Sequence, residues 1–448
     1  MLVPDPGAIS LVMWQYHPEL LGGAVPRYTS YPTAAQFNEN VGEAAVTKRL
    51  AAIGPEEALS LYVHIPYCHE ICWYCGCNTG AANKSSRLTA YLEALEHEIA
   101  LVAARLHGRG KVRHIAFGGG SPNAIPLVDF LRLVQHLTLC FRVEAADISI
   151  ELDPRNLDHD WMRAMRAIGV KRVNLGVQTF APEIQRNIGR VQPYELIADC
   201  VAGLRDAGVS EIGFDLLYGL PAQTVDDLAA TLDRTIELRP ARIALFGYAH
   251  MPRLLPRQRR IDASRLPAMD MRFAMASLGY ERLTQAGYQP IGFDHFALPD
   301  DSMAAAARAG TLRRNFQGFT DDQAQVLIGL GASAISMFPD LIVQNEKNAG
   351  RYRMMLSADR LPVARGLERD AEDMRRAAII EDILCRGDAD MRGVHPSDII
   401  TRFEEMGLAR RENGRVILSH QAIPYARSVA AAFDAYLQPA ETRFSNAV

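Results

Sequence analysis

The chain has 448 residues, with 48 basic and 52 acidic side chains and seven cysteines. Its hydrophobic fraction of 48% and charged fraction of 22% are typical of a globular protein with a sizeable core. A net charge of −4 excludes an obvious nucleic-acid groove or anionic-membrane partner. No apolar run reaches the roughly 18 residues of a membrane-spanning helix, and the first ten residues lack the basic start of a secretory signal. We therefore expect a cytoplasmic protein with no membrane or nucleic-acid partner.

The first 57 residues lack a regular apolar period and contain prolines such as Pro26 and Pro32, so we expect an N-terminal arm. From Leu59 onward, short apolar or β-branched runs alternate with amphipathic stretches of helical length. The predicted strands are Leu61–Ile65, Val112–Phe117, Asp147–Leu152, Arg172–Val177, Glu211–Leu217 and Arg242–Tyr248. Clear helical patterns lie between them at residues 88–107 and 127–141.

The strand starts are about 30 to 50 residues apart, which fits βα units and a parallel sheet. We predict an α/β fold in which residues 58–345 form a partial or complete parallel βα barrel of about six units, with its extension. A doubly wound open sheet is the alternative, because periodicity does not distinguish a closed sheet from an open one. The predicted strand ends carry polar, glycine or proline residues and should face one cavity.

Beyond about residue 350 the alternation of strands and helices stops. Helical patterns cover residues 371–385, 397–406 and 421–437, and Asn413-Gly414 predicts a hairpin turn. We expect residues 346–448 to form a small, mainly helical C-terminal domain with a β-wing. Residues 401–416 hold four arginines and three glutamates, so a structural or lid role is favoured over DNA contact.

Four of the seven cysteines fall in one short loop: Cys68, Cys72, Cys75 and Cys77. The other three lie in apolar stretches and are expected in the core: Cys140, Cys200 and Cys385. Clustered thiolates select zinc, copper(I) or an iron–sulfur cluster, and structural zinc usually takes its ligands from two separated pairs. A single loop can instead hold three corners of a 4Fe-4S cube. A zinc knuckle, a redox pair at Cys72 and Cys75, and coincidence remain as alternatives.

Other strand ends carry residues that could hold a ligand. Gly118, Gly119 and Gly120 would expose backbone groups, although a run of glycines alone is more often a turn. Glu151 and Asp215 lie within apolar strands, where an unpaired carboxylate is costly to bury. Each needs either a core arginine or lysine, or the hydroxyl and amino groups of a ligand. Arg190, which follows the fourth strand, is either a ligand contact or a solvated helix residue.

The spacing CxxxCxxC after the first strand, followed by GGGSP after the second, resembles the radical S-adenosylmethionine (SAM) superfamily. Further motifs make the chain similar to the oxygen-independent coproporphyrinogen III oxidase family. In chain order they are PRYTSYPTA, LYVHIPYCHEICWYCGCN, GGGSP, ISIELDP, GVQTF, DLLYGLPAQT, GYAHMP, GFDHFALPDD and RNFQGFT.

The resemblance implies a site residue by residue. Cys68, Cys72 and Cys75 would hold a 4Fe-4S cluster whose unique iron binds SAM. The residues matching the surroundings of this SAM are Tyr62, Tyr74, Gly119, Glu151 and Ile335. The family is also reported to hold a second SAM, and the matching residues are Gly120, Ser121, Gln178, Arg190, Asp215 and Ala249. Catalytic roles are implied for Tyr62, for the non-ligating Cys77, and for Phe316 and Gln317 near the substrate.

The resemblance also implies the reaction, an oxidative decarboxylation of two propionates of coproporphyrinogen III to the vinyl groups of protoporphyrinogen IX in haem biosynthesis. A 5′-deoxyadenosyl radical from SAM would start it, with an electron donor for the cluster and a separate electron acceptor as partners. We expect a monomer. Arg313 and Arg314 are candidates to bind the substrate carboxylates on charge grounds.

The main alternative is a haem chaperone of the same family, without decarboxylase activity. Cys77 and the motif PRYTSYPTA argue against it. A radical enzyme that modifies nucleic acid would be expected to show a basic stripe, and none is visible in the sequence. A non-enzymatic iron–sulfur sensor, with the C-terminal domain as its reader, is a third alternative.

Overall fold

The computed structural model of the protein describes residues 14–437. The helices are α1 Pro18–Leu21, α2 Glu43–Ala52, α3 Ser85–Leu106, α4 Leu127–Cys140, α5 His159–Ile168, α6 Pro182–Asn187, α7 Tyr194–Asp206, α8 Val225–Leu238, α9 Met269–Gln285, α10 Ser302–Arg308, α11 Ala349–Leu356, α12 Ala371–Arg386, α13 Ile399–Glu405 and α14 Ala426–Ala430. The strands are β1 Ala58–Ile65, β2 Tyr67–Cys68, β3 Gly80–Ala81, β4 Lys111–Gly119, β5 Val143–Leu152, β6 Val170–Gln178, β7 Glu211–Tyr218, β8 Arg242–Gly247, β9 Gln289–Ile291, β10 His295–Ala297, β11 Arg313–Asn315, β12 Gly318–Thr320, β13 Val326–Leu330, β14 Ile335–Phe338, β15 Leu341–Asn345, β16 Val363–Glu368, β17 Asp388–Asp390, β18 Ala409–Glu412 and β19 Arg415–Leu418.

The six predicted strands form a parallel sheet in chain order, β1-β4-β5-β6-β7-β8, within a 12-stranded sheet. Because the order in the sheet follows the order in the chain, the units wind in one direction, which confirms the barrel and excludes the doubly wound alternative. β13 adds in parallel to β1, and antiparallel strands extend both sides. The sheet ends at β16 and β9, so the barrel is partial.

The barrel strands are buried because helices cover their outer face. Seven of the eight residues of β1 are buried, and so are seven of the eight in β7. Local signals set the helix starts: Asp158 caps α5 by accepting from the Trp161 N–H, and Thr224 with Asp227 forms a capping box on α8.

At the amino ends of β6, β7 and β8, buried charges are paired. Arg172 and Arg242 both contact Glu211, at 2.7 and 2.9 Å. Arg242 also contacts Asp301 at 2.8 Å, and Asp321 lies 3.4 Å from Arg172. Burial raises the pKa of Asp321, but the two arginines outweigh it and lower this pKa to about 2. We call these five residues the amino-end ion network.

The predicted arm is partly helical. α2 lies within it and packs against α3, with Val46 and Leu50 buried and an ion pair of 2.5 Å between Glu43 and Arg105. Only two buried positions in ten residues leave a weak apolar period, which explains why the sequence pattern did not reveal this helix.

The C-terminal region holds α12, α13 and a three-stranded sheet of β17, β19 and β18, as the predicted wing requires. Asn413 and Gly414 both have positive φ, of 51° and 76°, which confirms the hairpin turn. The continuous helix predicted over 421–437 is wrong. Pro424 lies in a 3-10 segment, His420–Tyr425, and only α14 and a second 3-10 turn follow. Among the helices in residues 14–437, none is long and apolar enough to span a bilayer.

Candidate functional site

A cavity of about 590 Å³ lies at the carboxyl ends of the barrel strands. The ends of β4 to β8 and the cysteine loop that follows β1 all contribute to it, which confirms the expectation that they face one space. The site residues inferred from the resemblance that line it are Cys68, Cys72, Tyr74, Cys75, Cys77, Gly119, Gly120, Ser121, Glu151, Gln178, Arg190, Asp215 and Ala249. We call this space the strand-end cavity.

The cysteine loop is held at both of its sides. Tyr67 and Cys68 pair in parallel with Gly80 and Ala81, which closes the base of the loop. At its far side, the Trp73 N–H donates to the Ile188 carbonyl at 3.1 Å. The Tyr74 carbonyl accepts from the side-chain amide of Gln258 at 2.8 Å. These bonds present the cysteines to the cavity from a fixed loop.

The thiols of this loop are all free, and two buried arginines lie against one of them. The guanidinium of Arg190 is 3.3 Å from Cys72 Sγ, and that of Arg155 is 3.6 Å from it. A hydrogen bond from the Cys77 thiol lowers the pKa of Cys75, and the backbone N–H of Cys77 donates to the same sulfur at 3.4 Å. Positive charge and donors beside thiolates suit a ligand loop for an iron–sulfur cluster.

In the part of the chain that the structure describes, no three His, Cys, Asp or Glu side chains converge around a single metal-ion position.

The three glycines that end β4 are required by close contacts. A Cβ on Gly118 would lie 2.6 Å from a carboxylate oxygen of Glu151, and one on Gly119 would lie 2.4 Å from the ring of His64. On Gly120 it would lie 2.3 Å from the Tyr67 carbonyl. The run is therefore more than a permissive turn, since it lets the cysteine loop and a buried carboxylate approach the backbone.

Of the buried carboxylates that line the cavity, Glu151 and Asp215 lack an ion pair, whereas Asp153 is paired. Glu151 accepts one long hydrogen bond, from the Gly119 N–H at 3.4 Å. Burial raises the pKa of Glu151, and burial together with the charge of Glu151 raises the pKa of Asp215 to about 7. Neither makes an ion pair with any residue in 14–437. The sequence allowed each carboxylate either a core arginine or lysine or a bound ligand as its partner. No such cation pairs with either one in the described residues, so the geometry favours a ligand.

Arg190 is buried, so the alternative of a solvated helix residue is wrong. Its guanidinium donates to the Gly176 carbonyl at 2.7 Å and lies 3.2 Å from Asp153. Asp153 also pairs with Arg155 at 2.7 Å. Arg190 therefore links the cysteine loop to the end of β6. Gln178 is the last residue of β6 and has a positive φ of 67°.

Four of the inferred residues do not line the strand-end cavity: Tyr62, Phe316, Gln317 and Ile335. Tyr62 and Phe316 stack edge to face with ring centroids 4.9 Å apart. Ile335 begins β14, and Gln317 is exposed in the turn between β11 and β12. Burial raises the pKa of Tyr62, and the nearby charges of Glu151 and Cys77 raise it further, so its hydroxyl is close to the cavity wall.

Sequence reasoning missed several residues that line or brace the cavity. Gln258 donates to both the Tyr74 and Ala249 carbonyls, at 2.8 and 3.0 Å. Arg257 donates to the Thr79 hydroxyl and carbonyl, at 2.8 and 3.0 Å. No pattern in the sequence marked this loop after β8, because its residues act through contacts that only the fold creates.

Arg313 and Arg314 do not line this cavity. Arg313 lies 3.4 Å from Glu381. Arg314 donates to the carbonyls of Arg27 and Tyr28, at 3.0 and 3.2 Å. Arg27 itself does line the cavity. It belongs to the motif PRYTSYPTA, and that was the only signal pointing to it.

A partial βα barrel with three cysteines of a CxxxCxxC loop at its strand ends defines the class of radical SAM enzymes. The family described as the Radical SAM superfamily matches residues 62–235. Membership implies a 4Fe-4S cluster and SAM, and the donor set described above fits both groups.

Comparison with characterised proteins narrows the class. The chain is 43% identical over 437 residues to an oxygen-independent coproporphyrinogen III oxidase of Bradyrhizobium diazoefficiens, covering 95% of this chain and 97% of the relative. It is 38% identical to the protein of that name from Salmonella typhimurium, over 92% of this chain and 93% of the relative. A solved structure of coproporphyrinogen III oxidase (HemN) from Escherichia coli, described as a radical SAM enzyme, superimposes with a TM-score of 0.88 at 35% identity, over 95% of this chain and 100% of that one.

The chain belongs to the oxygen-independent coproporphyrinogen III oxidase family and is a radical SAM oxidoreductase.

Proposed function

We propose that this chain converts two propionate side chains of coproporphyrinogen III into the vinyl groups of protoporphyrinogen IX without oxygen, as a step of haem biosynthesis. The observation that carries the proposal is similarity to coproporphyrinogen III oxidases over 95% of the chain. The strand-end cavity supports it, since thiols, glycine backbone and unpaired carboxylates meet there. Each vinyl group requires loss of one hydrogen atom, CO2 and one further electron, so a separate electron acceptor takes part.

Cys68, Cys72 and Cys75 would hold the 4Fe-4S cluster. Two observations support this assignment. The three cysteines line the same cavity, and the guanidinium groups of Arg190 and Arg155 lie beside Cys72, where they offset the charge of its thiolate. When bound, the reduced cluster and SAM supply a 5′-deoxyadenosyl radical that takes hydrogen from a propionate. An external electron donor reduces the cluster. Cys77 remains a free thiol exposed to the same cavity, and we assign it to the reaction rather than to iron.

The first SAM would contact Tyr62, Tyr74, Gly119, Glu151 and Ile335. Glu151 supports this assignment most directly, because its buried carboxylate has one weak donor and can accept from the ammonium or hydroxyl groups of SAM. Gly119 has a φ of +104°, and it supplies backbone groups beside that carboxylate with no side chain between.

A second SAM would lie across the neighbouring strand ends. Its residues would be Gly120, Ser121, Gln178, Arg190, Asp215 and Ala249. Asp215 carries this assignment, since it is buried, has no ion-pair partner within the described residues, and faces the same cavity as Glu151. A ligand bearing hydroxyl or amino groups would satisfy it.

The substrate would lie beside the hairpin of β11 and β12, where Phe316 packs against Tyr62 and Gln317 is exposed in the turn. Residues 1–57 would act as an arm, 58–345 as the catalytic barrel with its extension, and 346–448 as the C-terminal domain. A ligand loop of reduced thiols suits the cytoplasm, where thiols are kept free. The monomeric state stays a prediction.

The proposal is tested by reconstituting the protein anaerobically with iron and sulfide, then adding SAM, a reductant and coproporphyrinogen III. Protoporphyrinogen IX and 5′-deoxyadenosine are the expected products. An intact cluster with SAM cleavage but no decarboxylation would refute the proposal. Tight haem binding without decarboxylation would identify the haem chaperone instead.

A further inference from the structure

A second, smaller cavity of about 50 Å³ adjoins the strand-end cavity. Three residues line both spaces: Arg27, Phe246 and Gly247. Gly247 ends β8, and a Cβ there would lie 3.0 Å from the Tyr218 hydroxyl and 3.2 Å from the Arg272 guanidinium. The two cavities therefore meet at Gly247, beside the side chains of Arg27 and Phe246.

The smaller cavity is rich in positive charge. Its charged lining residues are Arg27, Arg272, Arg427 and Asp294. Asp294 is already engaged, since its carboxylate lies 2.6 Å from Nδ1 of His295. Neither Arg27 nor Arg272 forms an ion pair with a carboxylate of residues 14–437. Arg27 and Arg272 alone thus outnumber the one carboxylate of this cavity.

The donors of Arg27 and Arg272 are only partly used. Arg27 is exposed and donates from Nη2 to the Gly247 carbonyl at 3.1 Å. Arg272 donates from Nη2 to the Tyr248 carbonyl at 2.8 Å, while its buried Nε has no partner within the described chain. Burial lowers the pKa of Arg272, and the charge of Arg27 acts in the same direction. An anion between the two would accept hydrogen bonds and offset their repulsion.

Arg314 explains how Arg27 is held in place. Its guanidinium donates to the carbonyls of Arg27 and Tyr28, at 3.0 and 3.2 Å, and it lies 4.4 Å from the ring centre of Phe319. The arm is therefore fastened to the barrel at the two carbonyls that directly follow the Arg27 side chain. Arg314 acts as a positioning residue here, and Arg27 is the side chain that faces the cavities.

We propose that Arg27 and Arg272 bind a propionate carboxylate of the tetrapyrrole substrate at the junction of the two cavities. This inference rests on the proposed function, because it requires a polycarboxylate substrate that extends from the hairpin of β11 and β12 into the strand-end cavity. The planar guanidinium group matches a carboxylate in shape and charge. With a net charge of −4, the chain can attract such a substrate only through a local cluster of this kind.

The test compares Arg27→Gln, Arg272→Gln and the wild type. Binding is measured by fluorescence with coproporphyrin III, the oxidised form of the substrate, and turnover is measured anaerobically with coproporphyrinogen III. Each variant should bind coproporphyrin III about ten- to a hundredfold more weakly and raise KM by a similar factor, because a charge-assisted hydrogen bond is lost. Cluster absorbance and SAM affinity should not change.

Arg166→Gln is the matched control, since Arg166 is exposed on α5 and makes no ion pair within the described residues. It should bind coproporphyrin III as the wild type does. Arg27→Lys keeps the charge and loses the forked donor, so it should weaken binding less than Arg27→Gln. This variant also carries the test if Arg27→Gln does not fold.

Affinities and KM values within twofold of the wild type in both glutamine variants would overturn the inference. An equal loss of SAM affinity would overturn it too, because it would show a general disturbance of the barrel. A wild type that binds coproporphyrin III but does not decarboxylate its reduced form would refute the proposed function alone. A wild type that does not bind coproporphyrin III would refute both.

Discussion

The two ends of the barrel strands differ in how they hold carboxylates, although Asp153 at the carboxyl ends is paired with Arg155 and Arg190. At the amino ends, the amino-end ion network pairs each buried carboxylate with an arginine, as Arg242 does with Asp301 at 2.8 Å. At the carboxyl ends, Glu151 and Asp215 are buried without any ion pair in residues 14–437. Paired charges cost little further to keep in a folded core, whereas unpaired ones persist where a ligand supplies the partner. The absence of a partner, rather than burial, therefore marks the candidate site.

The largest effect is expected at the carboxyl ends, from removing a cluster ligand. Cys72→Ala should abolish the cluster absorbance and all SAM cleavage, because its thiolate is an assigned ligand beside Arg190. Cys200→Ala is the control, since its buried thiol lies 3.5 Å from the Pro154 carbonyl, outside the cavity lining. If Cys72→Ala keeps the iron content of the wild type, the assignment of the loop is wrong.

Cys77→Ser tests whether every thiol of the loop has the same role. We expect the cluster absorbance to remain and turnover to fall by at least about tenfold, since an assigned reacting group is lost. Ultraviolet–visible spectra and rates of protoporphyrinogen formation measure the two quantities separately. Loss of iron to the extent seen in Cys72→Ala would make Cys77 a ligand.

Asp301→Asn tests the amino ends. Removing the partner of Arg242 leaves a buried cation less well paired, so the free energy of unfolding should fall by about 3–5 kcal/mol. The SAM affinity of the folded fraction should not change, because Asp301 does not line the strand-end cavity and pairs with Arg242 at the amino end of β8. Chemical denaturation and SAM binding by calorimetry measure both. Weaker SAM binding in this variant would contradict the view that the amino ends stabilise the fold and only the carboxyl ends bind the ligand.

Asp215→Asn should stabilise the fold, whereas Asp301→Asn should destabilise it. The pKa of Asp215 is raised to about 7, so its contribution to stability is complete at acidic pH and is lost as the pH rises through about 7. In the cofactor-free protein, the variant should therefore raise Tm at about pH 8 by about 2–4 °C and raise it by less at about pH 5, where only part of the contribution is lost. SAM affinity should fall.

Asp321→Asn is the matched control for this pH dependence. The pKa of Asp321 is lowered to about 2, so this residue stabilises the fold above its unfolded pKa and loses that contribution only in acid. Its asparagine variant should lower Tm at both about pH 5 and about pH 8. A Tm of Asp215→Asn that is below the wild type at about pH 8 would contradict the account of the unpaired carboxylate.

Most of the barrel could be predicted because its signals are local. β4, β5 and β6 were predicted within a few residues, since apolar runs bounded by turn residues identify buried parallel strands. The strands β13 to β16 and the helix α2 were not predicted, because their patterns are short or weak. Pro424 shows a second limit of prediction from sequence. The apolar residues around it keep a helical period, but the backbone forms a 3-10 segment there instead of an α-helix.

The sequence by itself determined the chemistry that the protein can bring to its site. The cysteine spacing, the glycine run and the carboxylates within apolar strands depend on residue type and short-range order, which the chain carries without folding. Only the tertiary structure decided which of these groups have partners. Arg190 contacts Cys72 across 118 positions, and Arg27 reaches Gly247 across 220. Such pairings depend on which strand ends meet, and no local pattern records that.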